Sequence, residues 1–337
     1  MFILSVDHVF SLILTRGFET AQLVISESGE FSAVQVVMAP PFQVVESKTI
    51  DGTIIRGRFY AVDGKGPVII MTPGFNCVKE MLLPDIAEIF QSQGFNAYVY
   101  DPRSIGDSDG TPKNLIDPLQ QAEDLTDIIT HISSLPSVES SQIALWGMSF
   151  GGTVSATAAA VDRRVKALVM VCPILSFYQA EKREKAFLQL MRDRQSQLRG
   201  NEPFMLPPFN SKGENPIGMA GSGGPGGLEA YGFMGAIIDR GAPNFRNKIA
   251  LQTYQKLAMW QPKEILKLVD KTPVMMVTPE LDTMSPPEEQ KAAFALFPQT
   301  KTFLEAKGKG HLTVLSGEGS DKVVDAMAEF VREILGS

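Results

Sequence analysis

Short, continuous runs of branched apolar residues recur along this chain, separated by stretches of helical periodicity. The runs are GPVIIMT (66–72), FNAYVYD (95–101), QIALWG (142–147), KALVMVC (166–172), TPVMMVT (272–278) and KTFLEA (301–306). Strands that are apolar throughout are those buried on both faces. Their alternation with helical patterns predicts a mostly parallel sheet covered by helices on each side, an α/β fold. Residues 44–60, VVESKTIDGTIIRGRFY, differ. Polar and apolar positions alternate there on either side of an Asp-Gly pair, which predicts an antiparallel hairpin opening the sheet.

The strand rhythm stops between residues 174 and 265. A charged amphipathic helix over about 177–199 is followed by the loop GNEPFMLPPFNSKGENP, the glycine-rich GMAGSGGPGG, and helical patterns around 228–240 and 245–260. This predicts a helical cap (174–265) inserted into an α/β core made of residues 41–173 and 266–337, with residues 1–40 as an N-terminal extension. The chain opens MFILSVDHVFSLILTRGFE, an apolar run interrupted by Asp7 and His8 and therefore too short to span a bilayer. It lacks the basic n-region and small-residue cleavage site of a signal peptide. A peripheral or dimerising helix is one reading, which leaves a homodimer open; a packing extension is the other.

Composition narrows the function classes. Of 337 residues, 44% are hydrophobic and 20% charged, ordinary for a globular protein with a large core. The formal charge of −7 gives no basic footprint for nucleic acid. Two cysteines, Cys77 and Cys172, imply no disulfide framework and suit the reducing cytoplasm. Three histidines argue against a metal site built on His or Cys, and no cofactor motif is present.

The sequence G-x-S-x-G occurs twice. With 29 glycines, chance supplies about 0.2 matches, so the motif alone is weak. Around Ser149, in QIALWGMSFGGTVSATAAA, an apolar strand runs straight into the motif and an alanine-rich helix follows. That is the setting of a nucleophile elbow, where a serine on a sharp strand-to-helix turn presents its hydroxyl above the sheet. Ser108, in DPRSIGDSDGTPKN, lies several residues past its strand, between two aspartates that would oppose an oxyanion, and Thr-Pro follows it. It reads as a turn residue.

A nucleophilic serine needs a base, and the base an orienting carboxylate. His8 lies in the N-terminal extension and His131 inside a helical pattern; His311, in AKGKGHLTVLSG, follows the last predicted strand and is the candidate base. Asp282 and Glu280 both follow the strand at 272–278. Asp282 is preferred because Pro286 and Pro287 can fix the loop beyond it, with Glu280 in reserve. The order Ser149, Asp282, His311 is that of α/β-hydrolases. Oxyanion donors are expected at the N–H of Phe150, just after the nucleophile, and in the loop MTPGFNCVKE, where Phe75 is assigned and Asn76 held in reserve. Cys77 is read as packing at a helix start. Phe204, Met205, Phe209, Tyr231, Phe233 and Trp260 are candidates for lining an acyl pocket, with helix packing as the competing role.

With these residues placed, the chain resembles the fungal polyketide transferase family of α/β-hydrolases, associated with fumagillin-type pathways. PGFNCVKEMLLPDIAEIF, VYDPRSIGDSDG, WGMSFGG, RGAPNFRN, YQKLAMWQP, PVMMVTPELDTMSPPEEQ and GKGHL carry the resemblance over about residues 44–315. It implies an enzyme that takes a polyketide acyl chain as a thioester from a synthase carrier domain and passes it to an alcohol or to water. The triad positions of the family coincide with Ser149, Asp282 and His311. Cyclisation of the acyl chain on itself is a third outcome. A carboxylic-ester hydrolase or peptidase with the same residues is the alternative, and a catalytically silent binding protein of this fold the non-enzymatic one.

Overall fold

A computed structural model describes residues 20–25, 31–36, 42–239, 242 and 244–336. The chain divides into two compact units, residues 1–43 and 44–337. In the first, β1 (Thr20–Ile25) pairs antiparallel with β2 (Phe31–Val36), Thr20 opposite Val36. The helix considered for the first nineteen residues, and His8 with it, lie outside the described residues.

The larger unit opens with β3 (Gln43–Lys48) and β4 (Ile54–Tyr60). The Asp51-Gly52 turn joins them: the Gly52 N–H donates to Thr49 O and the Thr49 N–H to Thr53 O, each at 2.9 Å. Next come β5 (Gly66–Thr72), α1 (Leu83–Ser92), β6 (Asn96–Tyr100), α2 (Pro118–Ile132), β7 (Val138–Met148), α3 (Phe150–Val161) and β8 (Val165–Val171). Between β8 and the next strand of the main sheet lie α4 (Ala180–Gln197), β9 (Met205–Leu206), α5 (Pro225–Asp239), β10 (Ile249–Ala250), α6 (Thr253–Met259) and α7 (Pro262–Leu266). The core then resumes with β11 (Val274–Pro279), α8 (Pro287–Phe294), β12 (Lys301–Ala306) and α9 (Ser320–Leu335).

Eight strands form one sheet in the order β12-β11-β8-β7-β5-β6-β4-β3. Neighbours from β12 through β6 are parallel, and β4 runs antiparallel to β6. Every residue of β5, β6 and β11 is buried, as continuous apolar runs require when helices cover both faces. Each fully buried Val or Ile in them contributes roughly 1.5–3 kcal/mol. Parallel connection has a second consequence: the loops after β5, β7, β11 and β12 all emerge at the same edge of the sheet.

One helix is shorter than its sequence pattern. The stretch expected to be helical over 245–260 becomes helical only at Thr253. Before that, Ile249 and Ala250 pair with Leu206 and Met205, while the Ala250 N–H donates to Asn114 O and the Leu251 N–H to Phe204 O, both at 2.8 Å. Donors committed to distant carbonyls cannot build a helical turn. Among the described residues, no helix is long and apolar enough to cross a membrane.

Candidate active site

The site is built where β7 turns into α3. Ser149 sits at that turn with φ 57° and ψ −125°, a conformation that non-glycine residues rarely hold and that costs on the order of 1–3 kcal/mol. Its backbone is pinned on both sides: the Ser149 N–H donates to Val171 O at 2.8 Å, and Ser149 O accepts from the Ile174 N–H at 3.3 Å. The flanking glycines make the turn sterically possible. A Cβ on Gly147 would lie 2.3 Å from Gly151 O, and one on Gly151 would lie 2.3 Å from Pro73 O and Thr72 O. Close backbone approach therefore packs the start of α3 directly on the loop after β5.

That loop carries Gly74 and Phe75. A Cβ on Gly74 would stand 3.6 Å from Ser149 Cβ, so its backbone lies against the serine side chain. The Phe75 and Phe150 rings meet edge to face with centroids 5.3 Å apart, and Phe150 packs on Phe177 and Trp260. Phe150 is the first residue of α3, where N–H groups have no intrahelical acceptor and the helix dipole favours negative charge. Asn76 adopts φ 57° and is buried; its side chain accepts from Asn114 Nδ2 at 3.0 Å and donates to Arg246 O at 2.9 Å. The side chain of Asn76 is thus engaged in bracing the loop.

Ser149, His311 and Asp282 come together, although 162 and 29 residues separate the successive pairs. His311 Nε2 lies 2.9 Å from Ser149 Oγ, and His311 Nδ1 lies 2.9 and 3.1 Å from the Asp282 carboxylate oxygens. Asp282 is held by its own loop: Oδ1 accepts from the Met284 and Ser285 N–H groups at 2.9 and 2.7 Å, and Oδ2 from Gln290 Nε2 at 3.0 Å. Pro286 and Pro287 begin α8 immediately afterwards. Glu280 points elsewhere and accepts from the Gly308 N–H at 2.8 Å. His131 stands in the last turn of α2, half-buried.

Burial opposes charging of the His311 ring, but the Cys172 sulfur and the Asp282 carboxylate outweigh it and raise its pKa above 6.5. Cys172, at the end of β8, was not singled out from the sequence as a site neighbour. Its Sγ lies 3.9 Å from His311 Nε2 and donates to His311 O at 3.7 Å. Only its position at the carboxyl end of a predicted central strand marked it. Burial pushes the Cys172 thiol up. Cys172, Asp282 and His311 offer sulfur, oxygen and nitrogen within 4.8 Å of one another. Those atoms are already engaged with each other and with Ser149.

Ser149 and His311 line an apolar cavity of about 50 Å³. Met81, Met148, Met219, Met234 and Met284 line much of it, with Phe75 beside them. Of the aromatic candidates, Phe209 and Phe233 line this cavity. Phe204 and Met205 line a separate groove, Tyr231 is exposed, and Trp260 packs on Phe150 and Phe177 outside the cavity. Cys77 also lines the cavity rather than a helix start. Asn76 and Leu82, both with left-handed φ, keep the chain out of helix until Leu83, and burial pushes the thiol up to about 12.

Comparison with known proteins agrees with this architecture. The family described as serine aminopeptidase, S33, matches residues 67–211. A thiohydrolase of Eupenicillium brefeldianum is 43% identical over 293 residues, 87% of this chain and 94% of its own. Polyketide transferase claH of Penicillium crustosum is 38% identical over 308 residues, 88% of this chain and 99% of its own. The structure of DcsB in complex with its substrate analogue is 88% identical, covers 88% of this chain and 100% of its own, and superposes with a TM-score of 0.85.

The mostly parallel eight-stranded sheet, with a serine elbow after its central strand, defines an α/β-hydrolase. Within that class, the chain belongs to the fungal polyketide transferase and thiohydrolase family.

Proposed function

We propose that this protein is an enzyme of fungal secondary metabolism that transfers or hydrolyses a polyketide acyl group presented as a thioester, through an acyl-Ser149 intermediate. The observation that carries the reading is the unbroken chain Ser149 Oγ, His311, Asp282, with links of 2.9 Å, whose serine and histidine line an apolar cavity. His311 Nε2 takes the Ser149 proton as Oγ bonds to the acyl carbon. The Phe75 and Phe150 N–H groups receive the negative charge that develops on the carbonyl oxygen. The C–S bond then breaks, and His311 returns its proton to the departing thiolate. In the second half, His311 deprotonates an acceptor alcohol or water, which displaces Ser149 from the acyl carbon, and His311 gives that proton back to Oγ. A hydroxyl on the acyl chain itself would give a ring. Asp282 holds Nδ1 protonated and stabilises the imidazolium formed in each half.

The apolar lining supports an alkyl or polyene chain over a polar one. A cavity of about 50 Å³ is far below the roughly 300–1,000 Å³ of sites that hold drug-sized ligands, so an acyl chain must displace side chains to enter. The unbranched methionines around it suit such repacking. The donor partner is a synthase carrier domain, and the free cysteines suit a cytoplasmic setting. One observation favours a second reading, an ester or peptide hydrolase: the serine aminopeptidase match over residues 67–211.

Intact-mass spectrometry with octanoyl-N-acetylcysteamine tests the first reading. Wild type is expected to gain an octanoyl adduct that Ser149→Ala does not form. An adduct persisting in the variant would overturn the nucleophile, and a strong preference for oxygen esters or aminoacyl amides would favour the hydrolase or peptidase.

A further inference from the structure

Helix α4 is unusual in this acidic protein. It carries five basic residues against three acidic ones, and Arg199 follows, in a chain of net charge −7. One of the acids, Asp193, is turned inward, accepting from the Phe204 N–H at 2.9 Å and from Gln252 Nε2 at 2.7 Å. Only Ala186, Leu190 and Asp193 of this helix are buried. On the open side, Arg183, Phe187, Met191, Arg194 and Leu198 follow at spacings of three and four, which places them in one stripe. Its apolar members are 40–84% exposed. Among the described residues, Arg183, Arg192, Arg194 and Arg199 have no ion-pair partner. Apolar side chains interleaved with such arginines are the composition of a binding surface rather than of a solvated one.

Beside the stripe lies an open groove of about 1110 Å³ to which Lys185 and Arg192 contribute. Its opposite wall includes Phe204 and Ile217. The same loop segment supplies Phe209 and Met219 to the cavity at Ser149. The groove beside α4 and the cavity at Ser149 are thus lined by neighbouring residues of one loop segment.

We propose that the basic-apolar stripe of α4 docks the acidic carrier domain that delivers the acyl thioester. The inference rests on the acyl-thioester reading above. Arginines without a partner among the described residues complement an acidic helix, and Phe187, Met191 and Leu198 supply the apolar contact that fixes it. Charge complementarity selects this occupant over a second copy of the chain, which is itself net negative.

The test compares two donors of one acyl group. Octanoyl carried on an isolated, net-acidic carrier domain of a fungal polyketide synthase, and octanoyl-N-acetylcysteamine, are offered to wild type and to R183E/R192E/R194E, with thiol release as the readout. The variant is expected to lose about tenfold or more in kcat/KM on the carrier-bound donor, mostly through KM, and to stay within about twofold on the small thioester. The wild-type preference for the carrier-bound donor should fall as salt rises. Unchanged rates on both donors would overturn the proposal. Equal losses on both, repeated in F187A/M191A, would make α4 a support for the fold and also overturn it. So would a wild-type dimer, seen by light scattering, that the variant splits without altering the preference between donors. A wild type that turns over neither thioester would defeat the acyl-thioester reading. Charge-sensitive binding of the carrier domain to Ser149→Ala, measured by calorimetry, would still uphold the surface.

Discussion

Two segments of this chain share the sequence G-x-S-x-G and put it to opposite uses. At Ser149 the motif holds a hydroxyl toward a buried histidine. At Ser108 the hydroxyl is consumed by the backbone: it donates to Asp101 O at 2.6 Å and accepts from the Arg56 N–H at 2.8 Å. The flanking aspartates are spent too. Asp107 pairs with Lys79 and Asp109 with Arg56, each at 2.6 Å, and Lys79 also reaches buried Asp101 at 2.8 Å. The first segment holds its hydroxyl against His311 on a strained backbone, and the second ties its loop to β4 and to the loop after β5. Both serines are buried, so burial does not separate them. What does is whether the hydroxyl's partner is a titratable side chain or the main chain.

Substitution at the two serines should break the comparison most sharply. Ser149→Ala is expected to lower kcat for thioester cleavage by roughly 10⁴-fold or more, with little change in stability, because it removes the attacking oxygen and relaxes nothing else. Stopped-flow release of thiol measures it. A loss of only a few-fold would return Ser149 to the status of an elbow residue.

Next in size is Asp282→Asn, expected to cost roughly 10³–10⁴-fold in kcat, since an amide can hold His311 in the wrong tautomer. Its neighbour offers the control. Glu280→Gln keeps an acceptor for the Gly308 N–H and should stay within about twofold. Equal losses at the two positions would mean that the loop, not the carboxylate, is what matters.

The pH profile sharpens the same point. As the proposed base, His311 acts only when neutral, and its pKa is raised because the Cys172 sulfur and the Asp282 carboxylate outweigh burial. The neutral form therefore fills in only as pH climbs past that raised value. The acid limb of kcat/KM should have its midpoint above 6.5. In Asp282→Asn the favourable charge is gone, and the midpoint of the residual activity should move down. A limb at or below 6.5 in wild type would place the imidazole in an ordinary environment.

These residues also mark what sequence could and could not convey. The strands and the Ser149 turn are legible because they are written locally: apolar runs report burial on both faces, and two glycines report a close backbone approach. His311 is reachable because few histidines compete and the parallel sheet gathers its strand ends along one edge. The choice between Asp282 and Glu280 depends on which carboxylate the Met284 and Ser285 N–H groups capture, and the spacing of prolines only hints at that. Cys172 beside His311 and the methionine lining of the cavity are contacts between distant segments, with no local pattern to announce them. The shortened helix before Thr253 fails for the same reason, since its donors serve carbonyls at Asn114 and Phe204.

The smallest effect on catalysis is expected at Ser108, and it completes the comparison. Ser108→Ala removes a hydroxyl that is fully buried and leaves the Arg56 N–H and Asp101 O without that partner. An unsatisfied buried group costs about 1–3 kcal/mol, so the midpoint of urea unfolding should fall by a matching amount. Activity per folded molecule should stay within about twofold, because the segment touches neither Ser149 nor His311. Lys79 sets the limit on that statement. It joins Asp101 and Asp107 to the loop that carries Phe75, so slackening around Ser108 can reach that loop through this ion pair, as it can through Asn114 and Asn76. A variant of normal stability with kcat reduced as deeply as in Ser149→Ala would mean that the two motifs act as one site, and the contrast between them would fall.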